Sequence, residues 1–308
     1  MNKKEKFSNK MKRIIRRDWQ LYLLCVPALI YIFIFCYGPM YGVQIAFRDY
    51  TAKGGITGSN WVGLKHFSRF INSPNFWKIF KNTITLGVYN LAAGFPIPIF
   101  VALLMNQCRN LKFRKTVQTV LYAPHFISTV VLVGMMGLVL SPTTGVVNHA
   151  LNAIGIESIY FMGRSDLFQH VYVWSGIWQG TGWGTIIYMA ALTSVNPELY
   201  EAAKMDGCSK YKMIWYIDIP SIKPTMITLF IMNMGKFMST GFQKAYLMQN
   251  ALNAETSEII ATYVYKVGLQ GSQFSYSTAI SLFDTVINII LLVTANKISK
   301  KVTEVGLF

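Results

Sequence analysis

Glu201-Ala202-Ala203-Lys204-Met205-Asp206-Gly207, followed by Ile217-Asp218-Ile219-Pro220 and then Pro224, is a polar segment lodged between two long apolar runs. Ala202 and Ala203 are strong helix formers with almost no side chain, so another protein's surface can approach them closely. Asn196-Pro197-Glu198 reads as the start of that helix, with Asn196 as the cap and Pro197 at the first helical position. Gly207 reads as the stop, where a left-handed residue turns the chain. Pro220 and Pro224 mark the return into apolar sequence. The expected element is a short exposed helix of about two turns, built to be touched by something outside the chain.

Working outward, 53% of the 308 residues are apolar and 14% are charged, and the mean hydropathy is +0.36. That is the composition of an integral membrane protein, and no long polar stretch remains from which to build a soluble domain. A span needs about 20 mostly apolar residues to cross about 30 Å of hydrocarbon. Six stretches qualify: 20–45, 80–104, 118–140, 168–194, 223–248 and 276–296. Trp19, Tyr22 and Tyr41 fit interfacial anchors of the first. Pro27, Pro96, Pro98 and Pro124 fall inside these stretches, where neighbouring helices can satisfy the freed backbone groups. The fifth stretch is the least apolar, since it holds Asn233, Lys236, Gln243 and Lys244.

Orientation follows from Lys and Arg. Eight lie in 1–18, four in 105–117, four in 195–223 and three in 297–308, against six in 47–81 and one each in 141–167 and 249–275. The positive-inside rule then puts both termini and the Glu201 segment in the cytoplasm. The expected organisation is a basic N-tail (1–19), a first transmembrane helix (20–45) and an extracytoplasmic segment (46–79). A five-helix core (80–296) follows, with the Glu201 loop at 195–222, and then a cytoplasmic C-tail (297–308).

Several function classes drop out. The net charge of +16 gathers at the ends of apolar runs and not on one face of a soluble domain, which argues against nucleic acid. Cys25, Cys36, Cys108 and Cys208 have no metal-like spacing, and no metal site is expected. There is no G-x-x-x-x-G-K-[ST], and Gly180-Thr181-Gly182-Trp183-Gly184 carries no lysine to cradle a phosphate. His66, His125, His149 and His170 lack a carboxylate or nucleophile at recognisable spacing, so no catalytic residue is assigned. Repeated halves with paired ionisable groups, expected of a secondary transporter, are not found either.

The pattern E-A-A-x-x-D-G, nine residues, then I-x-I-P-x-x-x-P resembles the cytoplasmic "EAA" loop of binding-protein-dependent ABC importers. The family usually has Leu where this chain has Ile219. Trp61-Val62-Gly63-Leu64-Lys65-His66-Phe67, with Pro74-Asn75-Phe76-Trp77 and Asn82-Thr83, is similar to the segment before the second span of sugar-importer permeases. The stretches Trp19 through Phe47 and Thr262 through Ser299 resemble the LplB-type branch, which imports oligosaccharides released from complex polysaccharides.

That resemblance implies an all-α integral membrane protein with six transmembrane helices, the type I ABC importer permease fold and both termini cytoplasmic. It implies coupling to a separate ATPase through Glu201, Ala202, Ala203, Asp206, Gly207 and Pro220. ATP and Mg would sit on that ATPase, with no cofactor bound by this chain. The implied partners are a second permease, in a heterodimer in preference to a homodimer, two ABC ATPase subunits and an extracytoplasmic sugar-binding lipoprotein. Import of another solute is the alternative within this architecture. A membrane scaffold is the alternative outside it, although a scaffold has no need of an ATPase-docking helix.

Alternating access needs polar or aromatic groups near the membrane midplane. Gly176, Gln179, Gly180 and Trp183 recur at i, i+3, i+4 and i+7 in the fourth stretch, and Gly235, Lys236, Ser239, Phe242 and Gln243 do the same in the fifth. The indole of Trp183 suits a pyranose face, and Gln179, Ser239 and Gln243 suit hydroxyls. Helix packing is the competing reading of the same pattern. Lys236 costs roughly 2.5–3.5 kcal/mol at a span's centre, so it needs water, an anionic substrate or a carboxylate of the second permease. Lys244 is expected to snorkel to the outer interface.

Overall fold

The computed structural model describes residues 17–239, 241–303 and 306–307, so most of the basic tail expected over 1–19 lies outside the described residues. Helices dominate because an apolar run without water must satisfy its backbone N–H and C=O groups internally. α1 (Trp19–Phe47) is a 29-residue rod carrying Pro27; its pitch widens to a π turn at Ile32–Tyr37 and tightens over Tyr41–Phe47. An antiparallel hairpin, β1 (Arg48–Thr51) and β2 (Ser59–Trp61), and α2 (Lys65–Ile71) follow. α3 (Phe76–Asn106) is interrupted only at Phe95, before Pro96.

Next come α4 (Leu111–Phe126), α5 (Thr129–Val139), α6 (Val146–Ala153) and α7 (Ser165–Thr193). α8 (Pro197–Met205) precedes α9 over 210–234, which contains a π turn at Ile214–Asp218. α10 (Phe242–Met248), α11 over 260–270 and α12 (Phe274–Thr303) complete the chain.

α7 packs against α3, α4, α9 and α10. At one end Phe168, Tyr172 and Val173 bury against Leu132 and Met136 of α5 and Met248 of α10. At the other end Tyr188, Met189 and Leu192 bury against Ile99 and Leu103 of α3 and Ile222 of α9. A third apolar cluster, with Phe70, Phe76, Ile79, Tyr276 and Ile280, ties α2 to α3 and α12. The hairpin is fastened to α12 where the Tyr50 N–H donates to Ser275 Oγ at 2.8 Å. α1 stands apart: from Trp19 to Tyr41 its side chains are exposed, and its first buried residue is Ala46.

Three described helices, α1, α3 and α12, are long and apolar enough to cross a membrane, and a fourth span is counted if α4 and α5 form one bent crossing. α7 is long enough at 29 residues, but Gly, Ser, Thr and Gln dilute its hydropathy. The single helix expected over 118–140 is corrected to two helices that meet at 101°. Pro124 and the extended backbone at Ile127 stop α4, and Ser128 caps α5 by accepting from the Val131 N–H. The single helix expected over 223–248 is likewise corrected. α9 ends at Met234, and the chain resumes as a helix only at Phe242. The Met238 N–H leaves the helical ladder to donate to Asn288 Oδ1 of α12 at 2.9 Å. α12 itself runs to Thr303, beyond the expected end at 296.

Candidate functional site

α8 is built by local signals. Asn196 Oδ1 accepts from the Glu198 N–H at 3.0 Å, and Pro197 occupies the first turn, where its missing donor costs nothing. At the far end Gly207 has φ +70°; its N–H donates to the Lys204 carbonyl and the Cys208 N–H to the Ala203 carbonyl, the paired bonds of a Schellman stop. No residue of α8 is buried, and Leu199 and Met205 are exposed. Glu201, Ala202 and Asp206 lie on the surface, Ala203 is half-buried and Pro220 is exposed at the root of α9. Glu201 and Gly207 also border a cavity of about 680 Å³ between α8 and the end of α3.

Beneath α8 lies a polar knot that the pattern reading missed. Asp218 is 0% exposed, and its carboxylate accepts from Tyr200 Oη at 2.5 Å, Asn106 Nδ2 at 3.1 Å and Gln107 Nε2 at 2.7 Å. Burial, reinforced by the hydrogen bond to Asp218, pushes the Tyr200 phenol up to about 12. The visible signal was a lone carboxylate between Ile217 and Ile219, at the point where the chain turns apolar.

A second cavity, of about 480 Å³, opens between α3, α7 and the break after α9. Its wall is smooth where Gly87 and Gly94 of α3 face Gly176, Gly180 and Gly184 of α7, and its polar groups include Asn90, Asn233, Lys236 and Ser239. No carboxylate is among its described lining residues. Lys236 and Ser239 are exposed to this space.

Of the expected path residues, Gly176, Gly180, Lys236 and Ser239 line the cavity, whereas Gln179, Trp183, Gly235 and Gln243 do not. A stripe at i, i+3, i+4 and i+7 covers about 100° of a helix, and on α7 the boundary between two neighbours runs through it. Gln179 donates to the Ile127 carbonyl at 2.7 Å, and Trp183 lies parallel to the His125 ring at 4.4 Å, so both grip the bend between α4 and α5. In the fifth stretch the single helical face is corrected outright, because the helix is interrupted between its members. Gly235 packs close to Leu292 of α12, and Gln243 points outward from α10.

Lys244 is also corrected. It is buried, with Nζ donating to the Tyr172 carbonyl at 2.6 Å and lying 4.7 Å from the centre of the Tyr172 ring. It reaches no interface. Its Nζ sits behind Gly176, where an added Cβ would come within 3.1 Å.

At each break a distant side chain takes up a freed backbone group. Gln179 covers the freed carbonyl at the first, and Asn288 covers the freed N–H at the second while donating to Ser239 Oγ at 3.2 Å. Irregular backbone at membrane depth is tolerated where it is buried in protein or lines a cavity, and the cavity wall includes one of these breaks.

Residues 94–304 match the family described as binding-protein-dependent transport system inner membrane component. The polygalacturonan/rhamnogalacturonan transport system permease protein YteP of Bacillus subtilis (strain 168) is 44% identical over 306 residues, 99% of this chain and 95% of the relative. Protein LplB of the same organism is 42% identical over 294 residues, 96% of this chain and 92% of the relative. Among solved structures, a chain of a bacterial alginate ABC transporter, crystallised with an alginate pentasaccharide-bound periplasmic protein, has a TM-score of 0.88 and 38% identity. That match covers 96% of this chain and 99% of the other.

Proposed function

The chain belongs to the binding-protein-dependent transport system inner membrane component family, and on that premise we propose that it carries an acidic oligosaccharide. It is a membrane-embedded permease subunit of an ABC importer, and ATP hydrolysis belongs to a separate ATPase subunit. The observation that carries the substrate reading is Lys236, a cation in a cavity with no carboxylate among its described lining residues. An ammonium in that setting offers a uronate its charge and three donors, while Asn90, Asn233 and Ser239 suit hydroxyls. The substrates named for relatives support this. One is named for polygalacturonan/rhamnogalacturonan transport, and a solved relative is an ABC transporter involved in the import of the acidic polysaccharide alginate.

The working arrangement has six crossings, with both termini and α8 in the cytoplasm. The Lys and Arg asymmetry supports it. α8, with Glu201, Ala202, Ala203, Asp206 and Gly207, and with Pro220 at the re-entry, docks in the ATPase; its exposed faces and its fixed ends support that role. The full assembly has a second, different permease, two ATPase subunits and an extracytoplasmic binding lipoprotein.

The test is Lys236→Gln in the reconstituted importer. Uptake of a uronate oligosaccharide is expected to fall at least about tenfold, the effect of losing one charged hydrogen-bond donor, with complex yield unchanged. A drop in yield instead would assign Lys236 to an ion pair with the second permease, since an orphaned charge would remain in that interface. Normal uptake together with normal yield would refute both assignments.

A further inference from the structure

We infer that the buried Asp218 carboxylate is a positioning residue for energy coupling, holding α8, the end of α3 and the root of α9 together so that they move as one body. The inference rests on the reading of α8 as the ATPase-docking helix. A helix pushed by a partner transmits that push only through what ties it down, and α8 has no buried residue to anchor it. Its side-chain tie is Tyr200, half-buried and bonded to Asp218 at 2.5 Å.

The rest of the knot closes the frame. Asn106 Nδ2, at the end of α3, reaches both Asp218 Oδ1 at 3.1 Å and Tyr200 Oη at 3.3 Å, while Gln107 Nε2 holds Oδ2 at 2.7 Å. Among the described residues no Lys, Arg or His forms an ion pair with Asp218. The group therefore acts through directed hydrogen bonds. An apolar side chain could fill the same space without fixing the angle between three segments, and a fully satisfied polar network does fix it.

The local backbone supports the same role. The π turn Ile214–Asp218 adds a residue to the helix just before Pro220, which lacks an N–H and cannot continue the ordinary ladder. That extra residue shifts the register at the point where Asp218 turns inward. The knot thus joins the segment that receives force to α3 and α9, both of which line the candidate path.

The experiment uses the complete importer in proteoliposomes, and the readout is substrate molecules imported per ATP hydrolysed. Tyr200→Phe removes only the tie to α8, and Asp218→Ala removes all three bonds. Each is expected to lower that ratio at least about fivefold, the lower range of coupling between sites. Asp218→Asn keeps Oδ1 for Tyr200 and Asn106, and the Gln107 amide can turn to meet the new NH₂, so the ratio is expected to stay near wild type. Loss of coupling in Asp218→Asn as severe as in Asp218→Ala would mean that the charge matters and not the frame, and would overturn the inference. Gly207→Asp serves as the reference for the docking reading, since it adds charge beside α8. If Gly207→Asp abolishes uptake while Tyr200→Phe leaves the ratio unchanged, the frame is refuted and the docking reading stands. If Gly207→Asp transports normally, the docking reading itself fails. Should Asp218→Ala not assemble, Tyr200→Phe decides alone.

Discussion

Gly180 and Gly182 sit two residues apart on α7 and meet opposite surroundings, which makes them a matched pair. A Cβ at Gly180 would meet nothing within 4 Å, whereas one at Gly182 would lie 2.0 Å from the Leu121 carbonyl oxygen and 2.4 Å from its carbon. To restore ordinary contact the end of α4 would have to retreat by about 1.4 Å, dragging the bend that Gln179 and Trp183 hold. Replacing either glycine by alanine gains helix propensity of about 1 kcal/mol, so this gain cancels in the comparison. The overpacking does not cancel, and costs about 1–3 kcal/mol. Gly182→Ala is therefore expected to melt below Gly180→Ala by roughly 5 °C in thermal unfolding of the purified complex. Gly180→Ala is expected to match wild type or exceed it. Coincident melting curves for the two variants would refute the close approach of α4 to α7, and with it the account of the bend.

Three further outcomes follow from separate parts of the molecule. An impermeant thiol label applied to intact cells should reach cysteines placed at the exposed residues 60 and 155 and not one at the exposed residue 205; labelling at 205 would overturn the orientation. Asn288→Leu removes the side-chain acceptor of the Met238 N–H and is expected to cost about 0.5–1.5 kcal/mol, visible as faster amide exchange at Met238; unchanged exchange there would mean that Asn288 does not hold the break. The hydrogen bond from Lys65 keeps the Asp49 carboxyl below its ordinary value of 3.8, so its contribution is present above that value and is lost as pH falls through the lowered one. Protection of the 48–61 hairpin amides, relative to their intrinsic exchange at each pH, should therefore fall only in strong acid, and a loss already at pH 6 would sink this assignment.

What was legible beforehand divides along physical lines. α8 could be read to its ends because its signals are local: a cap at Asn196, a proline at 197 and a left-handed glycine at 207 act within a few residues. The two breaks were not legible. A hydropathy window averages over Pro124-His125-Phe126-Ile127 and over Gly235 through Gly241, and both stay apolar enough to pass. Pro124 is a local stop at the first, but what holds the freed groups is tertiary, a carbonyl taken by Gln179 and an N–H taken by Asn288 from distant parts of the chain. For the same reason periodicity grouped Gln179 and Trp183 with Gly176 and Gly180. Period gives the face of a helix and says nothing of which neighbour covers each edge of it. Asp218 and Lys244 were visible as charges, but their partners are a phenol, two amides and a backbone carbonyl, none of which announces itself as a counter-charge.

The glycine wall of the 480 Å³ cavity has a consequence for speed. Five glycines present backbone and little else, so, if the cavity is the sugar path proposed above, a passing ring finds few side chains to grip on that side. Each step along such a surface changes its contact energy only slightly, and the landscape along the path is shallow. A shallow landscape releases cargo quickly and tolerates chains of different length. On that reading, discrimination falls to Lys236 on the other side of the cavity and to whatever protein delivers the sugar at the entrance.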